Sequence, residues 1–145
     1  MCSYYIIRRT LSTMNPKMKL NSKIFRAYDI RGRYPEEVNE SVTERIILKL
    51  PKLLRGKIVL GRDGRLSSPS LYQAARNALR KYKKPEEILE AGEITTPMMY
   101  FLINELKAGG GIMITASHNP KEYNGIKISG ARAKPVSGQE IEKLL

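Results

Sequence analysis

Residues 57–82 read KIVLGRDGRLSSPSLYQAARNALRKY, and the fold follows from this stretch. Lys57 to Gly61 is a short apolar run between Gly56 and Gly61, the pattern of a buried strand. A polar loop follows, in which Ser68 can cap a helix and Pro69 can take its first position. Leu71, Ala74, Ala75, Ala78, Leu79 and Tyr82 then recur at i, i+3, i+4, i+7, i+8 and i+11, the apolar stripe of a helix with one buried face. Moving outward, the pattern repeats. Ile88 to Ala91, closed by Gly92, predicts a second strand. Thr96-Pro97 opens a helix to about Lys107, which the glycines at 109–111 end. Ile112 to Thr115 predicts a third strand. Strand, helix, strand, helix, strand implies parallel pairing. Gly125 to Ser129 returns after a short loop and is therefore expected to be antiparallel. On the N-terminal side, Ser41-x-x-Glu44 reads as a capping box before a helix from about Val42 to Leu50, and residues 24–35 read as extended or turn-like. Ser137-x-x-Glu140 opens a final helix. The expectation is a three-layer α/β/α domain over residues 23–145, with a mixed, mostly parallel four-stranded sheet. Residues 1–22 read as a disordered basic tail. The last residues break off inside a helical pattern, so the chain reads as cut short.

Composition narrows the chemistry. The chain has 145 residues, one domain's worth, and its apolar runs are far shorter than a membrane span. Cys2 is the lone cysteine, which excludes an internal disulfide and suggests a reducing, cytoplasmic compartment. His118 is the lone histidine. Lys and Arg number 26 against 14 Asp and Glu, a formal charge of +12. Such a chain favours an anionic partner: nucleic acid, a membrane surface or a small phosphorylated ligand. Asp29 and Asp63 are the only aspartates, so no Asp-rich metal loop exists in this chain.

In an open α/β sheet, ligands gather at the carboxyl ends of the parallel strands. The loops there, residues 61–68, 92–97 and 116–124, carry hydroxyls and cations and few carboxylates, a surface suited to phosphate. Helix starts at residues 69 and 97 add backbone N–H donors at the same edge. Thr115-Ala-Ser-His-Asn-Pro120 is the sharpest segment. Asn119 and Pro120 force a turn that exposes Ser117. Ser117 and His118 are adjacent, no second histidine can act as base, and no Gly-x-Ser-x-Gly elbow is present, which argues against a serine hydrolase. The segment read alone fits either a capped turn or a phosphoryl carrier served by cations and a metal. The Walker pattern is absent, and no aromatic ladder for stacking bases stands out.

Four segments in register resemble the α-D-phosphohexomutases: Phe25-Arg-Ala-Tyr-Asp-Ile-Arg-Gly32, Gly61-Arg-Asp-Gly-Arg65, Thr95-Thr-Pro97, and Thr115-Ala-Ser-His-Asn-Pro120 with Glu-Tyr-Asn-Gly-Ile-Lys127. The spelling of the first is similar to the phosphomannomutase/phosphoglucomutase branch. The resemblance implies an enzyme that interconverts hexose 1-phosphate and 6-phosphate through a phosphoserine at Ser117 and a hexose 1,6-bisphosphate intermediate. It implies Mg2+ bound through the phosphate on Ser117, with Arg31, Lys127 and His118 as catalytic partners and Tyr28 and Asn119 against the substrate. Arg62, Asp63 and Arg65 are candidates for structural support. The implied partner is a phosphosugar rather than nucleic acid or membrane. Complete members have four domains, and the resemblance covers the first. Domains II–IV, which carry the remaining magnesium ligands, normally complete the site, so this chain alone is expected to turn over little substrate. The alternative is a stand-alone, non-catalytic module that binds sugar phosphates or a partner.

Overall fold

The computed structural model describes residues 19–145. The expected tail at 1–22 falls mostly outside the described residues. Within them, Leu20 packs against the core and the Asn21 side chain caps a 3-10 turn, Ser22–Ile24.

The elements in chain order are β1 (Ile30–Arg33), α1 (Glu40–Ile47), β2 (Ile58–Arg62), α2 (Ser68–Leu79), β3 (Ile88–Glu93), α3 (Thr96–Glu105), β4 (Gly110–Ile114), β5 (Tyr123–Gly130), β6 (Pro135–Val136) and α4 (Gly138–Glu142). The sheet runs β1-β5-β4-β2-β3, with β6 beside β1 on the same edge of β5. β2 pairs in parallel with both β3 and β4, and β5 is antiparallel to β4, as the pattern predicted. The sheet has six strands rather than four. The two additional ones, β1 and β6, are short and antiparallel to β5.

Alternation along the strands builds three layers. Ile58, Leu60, Ile112, Ile114, Ile126 and Ile128 face α1 and α2, where they meet Val42, Ile46, Leu71, Ala75 and Leu79 in the main core. Val59 and Met113 face the other way, onto Met99 and Ile103 of α3. Gly111 shares that face, and a Cβ there would come within 2.8 Å of Ile103 and 2.9 Å of Met99. This close approach explains a departure from expectation. Gly110 and Gly111 belong to β4, and α3 ends instead at Glu105, just before Lys107, whose φ is +47°.

The caps also differ in detail. α1 starts two residues earlier than predicted, with Asn39 as its cap: the Val42 N–H donates to Asn39 Oδ1 at 3.0 Å. Ser41 lies inside the helix, and Glu44 pairs with Lys81. Ser68 does not cap α2; its hydroxyl donates to Asp63. The capping box Ser137/Glu140 at α4 is present as read.

Candidate active site

The loops after β2, β3 and β4 open on one edge of the sheet, because the three strands are parallel. There a pocket of about 570 Å3 is lined on one side by Asp63, Thr115, Ser117 and His118. Thr95, Thr96 and Met98, at the start of α3, line the facing side. Thr95 caps that helix, with the Met98 N–H donating to its Oγ1 at 3.3 Å.

Ser117 is exposed and sits three residues beyond Ile114, the buried end of β4. Its backbone is left-handed, φ +54°, a conformation rarely taken by a residue with a Cβ. Two contacts hold it there. The Ser117 N–H donates to Thr115 Oγ1 at 3.0 Å. Its carbonyl accepts from Arg65 Nη2 at 2.9 Å.

Arg65 binds much more of the loop. Nη2 also donates to the Asn119 carbonyl at 2.7 Å, and Nη1 to the carbonyls of Pro120 and Tyr123 at 2.7 and 3.1 Å. Nε donates to Asp63 Oδ2 at 3.2 Å. All five donors of the guanidinium are therefore used. Asp63 is fixed in turn by the Arg65 N–H at 3.0 Å and the Ser68 hydroxyl at 2.5 Å. Ser68 accepts from Asn124 Nδ2 at 3.0 Å, and both residues are fully buried. A chain of polar contacts thus runs from inside β5, through the loop after β2, to the serine turn. Arg62 serves the neighbouring loop, donating to the Asp63 carbonyl at 3.0 Å and to Glu93 at 3.2 Å.

Arg31 approaches from β1. Its Nη1 donates to Asn119 Oδ1 at 2.7 Å, and its Nη2 pairs with Asp29. Arg31 lies opposite Gly125, and Lys127 opposite Met113. Both cations therefore stand on the α3 face of the sheet, the face on which Met113 and Thr115 reach the pocket. Lys127 is half-buried, and among the described residues its ammonium has no ion-pair or hydrogen-bond partner. His118 is exposed at the pocket rim. Tyr28 lies on the turn before β1, 70% exposed and outside the pocket lining.

The phosphoglucomutase/phosphomannomutase α/β/α domain I model matches residues 22–145. The chain belongs to the phosphoglucomutase/phosphomannomutase family. Proteins described as phosphohexose mutases in Xanthomonas campestris pv. campestris are 46% identical over 114 residues, which cover 78% of this chain and 25% of theirs. The phosphomannomutase of Escherichia coli K12 is 43% identical over 115 residues, 79% of this chain and 25% of its own. A Klebsiella pneumoniae phosphomannomutase is 44% identical over 125 residues, 83% of this chain and 78% of its own. The crystal structure of a phosphoglucomutase/phosphomannomutase family protein from Burkholderia thailandensis superposes with a TM-score of 0.74 at 30% identity, covering 87% of this chain and 30% of that one. The chain thus spans about a quarter of the length of its Xanthomonas and Escherichia relatives.

Several residues that build this site were not singled out as site residues from sequence: Asp29, Thr115, Ser68 and Asn124. One signal could have found the first. Both aspartates stand two residues before an arginine, Asp29-x-Arg31 and Asp63-x-Arg65, and each pairs with that arginine.

Proposed function

We propose that this chain is the phosphoserine-bearing part of a hexose-phosphate mutase. The observation that carries the reading is Ser117: an exposed hydroxyl, held in a left-handed turn at a pocket rim by Arg65, with Arg31 bound to the same loop. A serine without a base suits phosphoryl transfer, where positioning and charge neutralisation do most of the work. In the transfer, the substrate hydroxyl oxygen forms a bond to phosphorus as the bond from phosphorus to Ser117 Oγ breaks. The hydroxyl proton ends on Ser117 Oγ. The reverse step, on the other phosphate of the hexose 1,6-bisphosphate, restores phosphoserine. Lys127 and Arg31 are the cations for this step, as proton relay and charge stabiliser. His118, Asn119 and Tyr28 meet the sugar phosphate. Arg65, Asp63 and Arg62 keep the loops in place.

Magnesium does not fit this chain's residues by themselves. Among the described residues no three His, Cys, Asp or Glu side chains converge. Asp29 and Asp63 are each spent on an arginine, and Glu93 on Arg62. Among the described residues the ligand on offer would be a phosphoryl oxygen on Ser117, and on this reading the isolated chain turns over little or no substrate.

Incubating the purified chain with glucose 1,6-bisphosphate, with and without the missing part of a related mutase, and weighing the intact protein tests this. One phosphoryl group gained at Ser117, and none in Ser117→Ala, is the expected result. Tight binding of glucose 1-phosphate with no phosphorylation under either condition would favour the stand-alone binding module instead.

A further inference from the structure

The opposite end of the sheet, where β2, β3 and β4 begin, carries a different chemistry. Residues 49–57 read KLPKLLRGK and residues 80–84 read RKYKK, together eight Lys or Arg and no acid. The fold brings them side by side: Lys83 Nζ donates to the Gly56 carbonyl at 2.7 Å, and the Tyr82 hydroxyl to the Ile47 carbonyl at 2.9 Å. The Gly109 N–H donates to the Lys57 carbonyl at 2.8 Å, which places Lys107 at the same end. The pairing of Gly110 with Gly130 adds Arg132 and Lys134. Arg132 and Ala133 are both left-handed, φ +59° and +57°, and the Arg132 side chain is exposed.

Within the two basic segments, Lys81 pairs with Glu44 and Lys83 with Glu87 at 3.9 Å; the others have no ion pair among the described residues. The C-termini of α1, α2 and α3 point to this end and attract cations, each with a charge of about −0.5. Those three dipoles and the glutamates at 44, 86, 87 and 105 leave about five positive charges uncompensated. Among the cations stand exposed leucines: Leu48 at 37%, Leu53 at 36% and Leu106 at 45%.

We infer that this basic end docks onto the surface of an anionic phospholipid bilayer, away from the active-site edge. Cations interleaved with short apolar side chains suit a charged headgroup layer over hydrocarbon. Nucleic acid is the weaker match, because the one aromatic in the two segments, Tyr82, is half-buried with its hydroxyl spent, and no platform for stacking bases results. The inference departs from the expectation that no membrane is involved, and it does not depend on the mutase reading.

The test is sedimentation of the full chain with vesicles of phosphatidylcholine, alone or containing phosphatidylglycerol. Binding to the anionic vesicles only, lost at about 0.5 M salt, is expected. Each cation near such a surface is worth about fivefold in partitioning, so the combined Lys52→Gln, Arg55→Gln, Lys57→Gln and Lys84→Gln variant should bind ~100-fold or more weakly. Leu53→Ser should weaken vesicle binding at unchanged salt dependence. Melting curves check that both variants fold. No binding to anionic vesicles would overturn the inference. So would undiminished binding by the four-charge variant together with loss on deleting residues 1–18, which would assign the attraction to the N-terminal stretch. Tighter binding of a single-stranded RNA oligonucleotide than of vesicles at equal salt, weakened by the same four substitutions, would assign the surface to nucleic acid.

Discussion

In the proposed function Ser117 combines two demands at one residue: a hydroxyl that carries the phosphoryl group and a backbone shape that disfavours any side chain. A left-handed residue with a Cβ costs about 1 kcal/mol or more relative to glycine. Ser117→Gly should therefore melt above Ser117→Ala by an amount equivalent to about 1 kcal/mol, while neither accepts a phosphoryl group. Equal melting temperatures would show that the turn is not strained. Arg65 answers that strain with four carbonyl contacts and the Asp63 pair. Lysine keeps the charge but has three donors on a point-like head and cannot serve four carbonyls together. Arg65→Lys should lose ~2 kcal/mol or more of stability in chemical denaturation, and hydrogen exchange should rise in residues 117–123 first. The motif segments were legible in the sequence because side-chain identities carry them. The grip of Arg65 was not, because its acceptors are backbone carbonyls, which every residue has, brought together only by the fold.

At the level of elements, α1 separates two readings of one stretch. The Ser41/Glu44 pattern resembles a capping box, yet Asn39 caps the helix and Glu44 faces Lys81. Asn39→Ala should cost about 1 kcal/mol, and Ser41→Ala under about 0.5 kcal/mol, in matched urea melts. A larger cost at Ser41 would contradict the structure here. The parallel strands and their helices were readable from period and punctuation, because each buries a whole face. β1 and β6 were not. They are edge strands of four and two residues whose pairing is set by β5, not by a pattern of their own. The glycines at 110–111 misled for a related reason: a glycine that stops a helix and one that admits a neighbour look the same in sequence. Gly125 is of the second kind. A Cβ there would lie 2.1 Å from the Ile30 carbonyl oxygen and 3.0 Å from that of Thr115. Gly125→Ala should push β1 off β5, costing several kcal/mol on the scale of overpacked sites. Because Arg31 rides on β1, its contact with Asn119 should be lost as well.

Across the whole molecule, the sheet separates the edge that carries the pocket from a basic end, and the two are tied through α1 and α2. Tyr82 is part of that tie, donating from the end of α2 to the Ile47 carbonyl at the end of α1. Burial pushes its phenol well above the ordinary value near 10. The fold therefore favours the protonated form more than the unfolded chain does. That contribution is complete below pH 10 and is lost as pH rises from 10 through the folded value. Tyr72, raised mainly by burial as well, adds in the same direction. Stability measured in urea should fall above pH 10, with a slope per phenol below the roughly 1.4 kcal/mol per pH unit of a fully shielded group, since Tyr82 is only partly buried. Tyr82→Phe should cost about 1 kcal/mol at pH 7 through the lost hydrogen bond, and should flatten the alkaline fall. If Tyr82→Phe left the alkaline slope unchanged, the link between the ends of α1 and α2 would not be the pH-sensitive one.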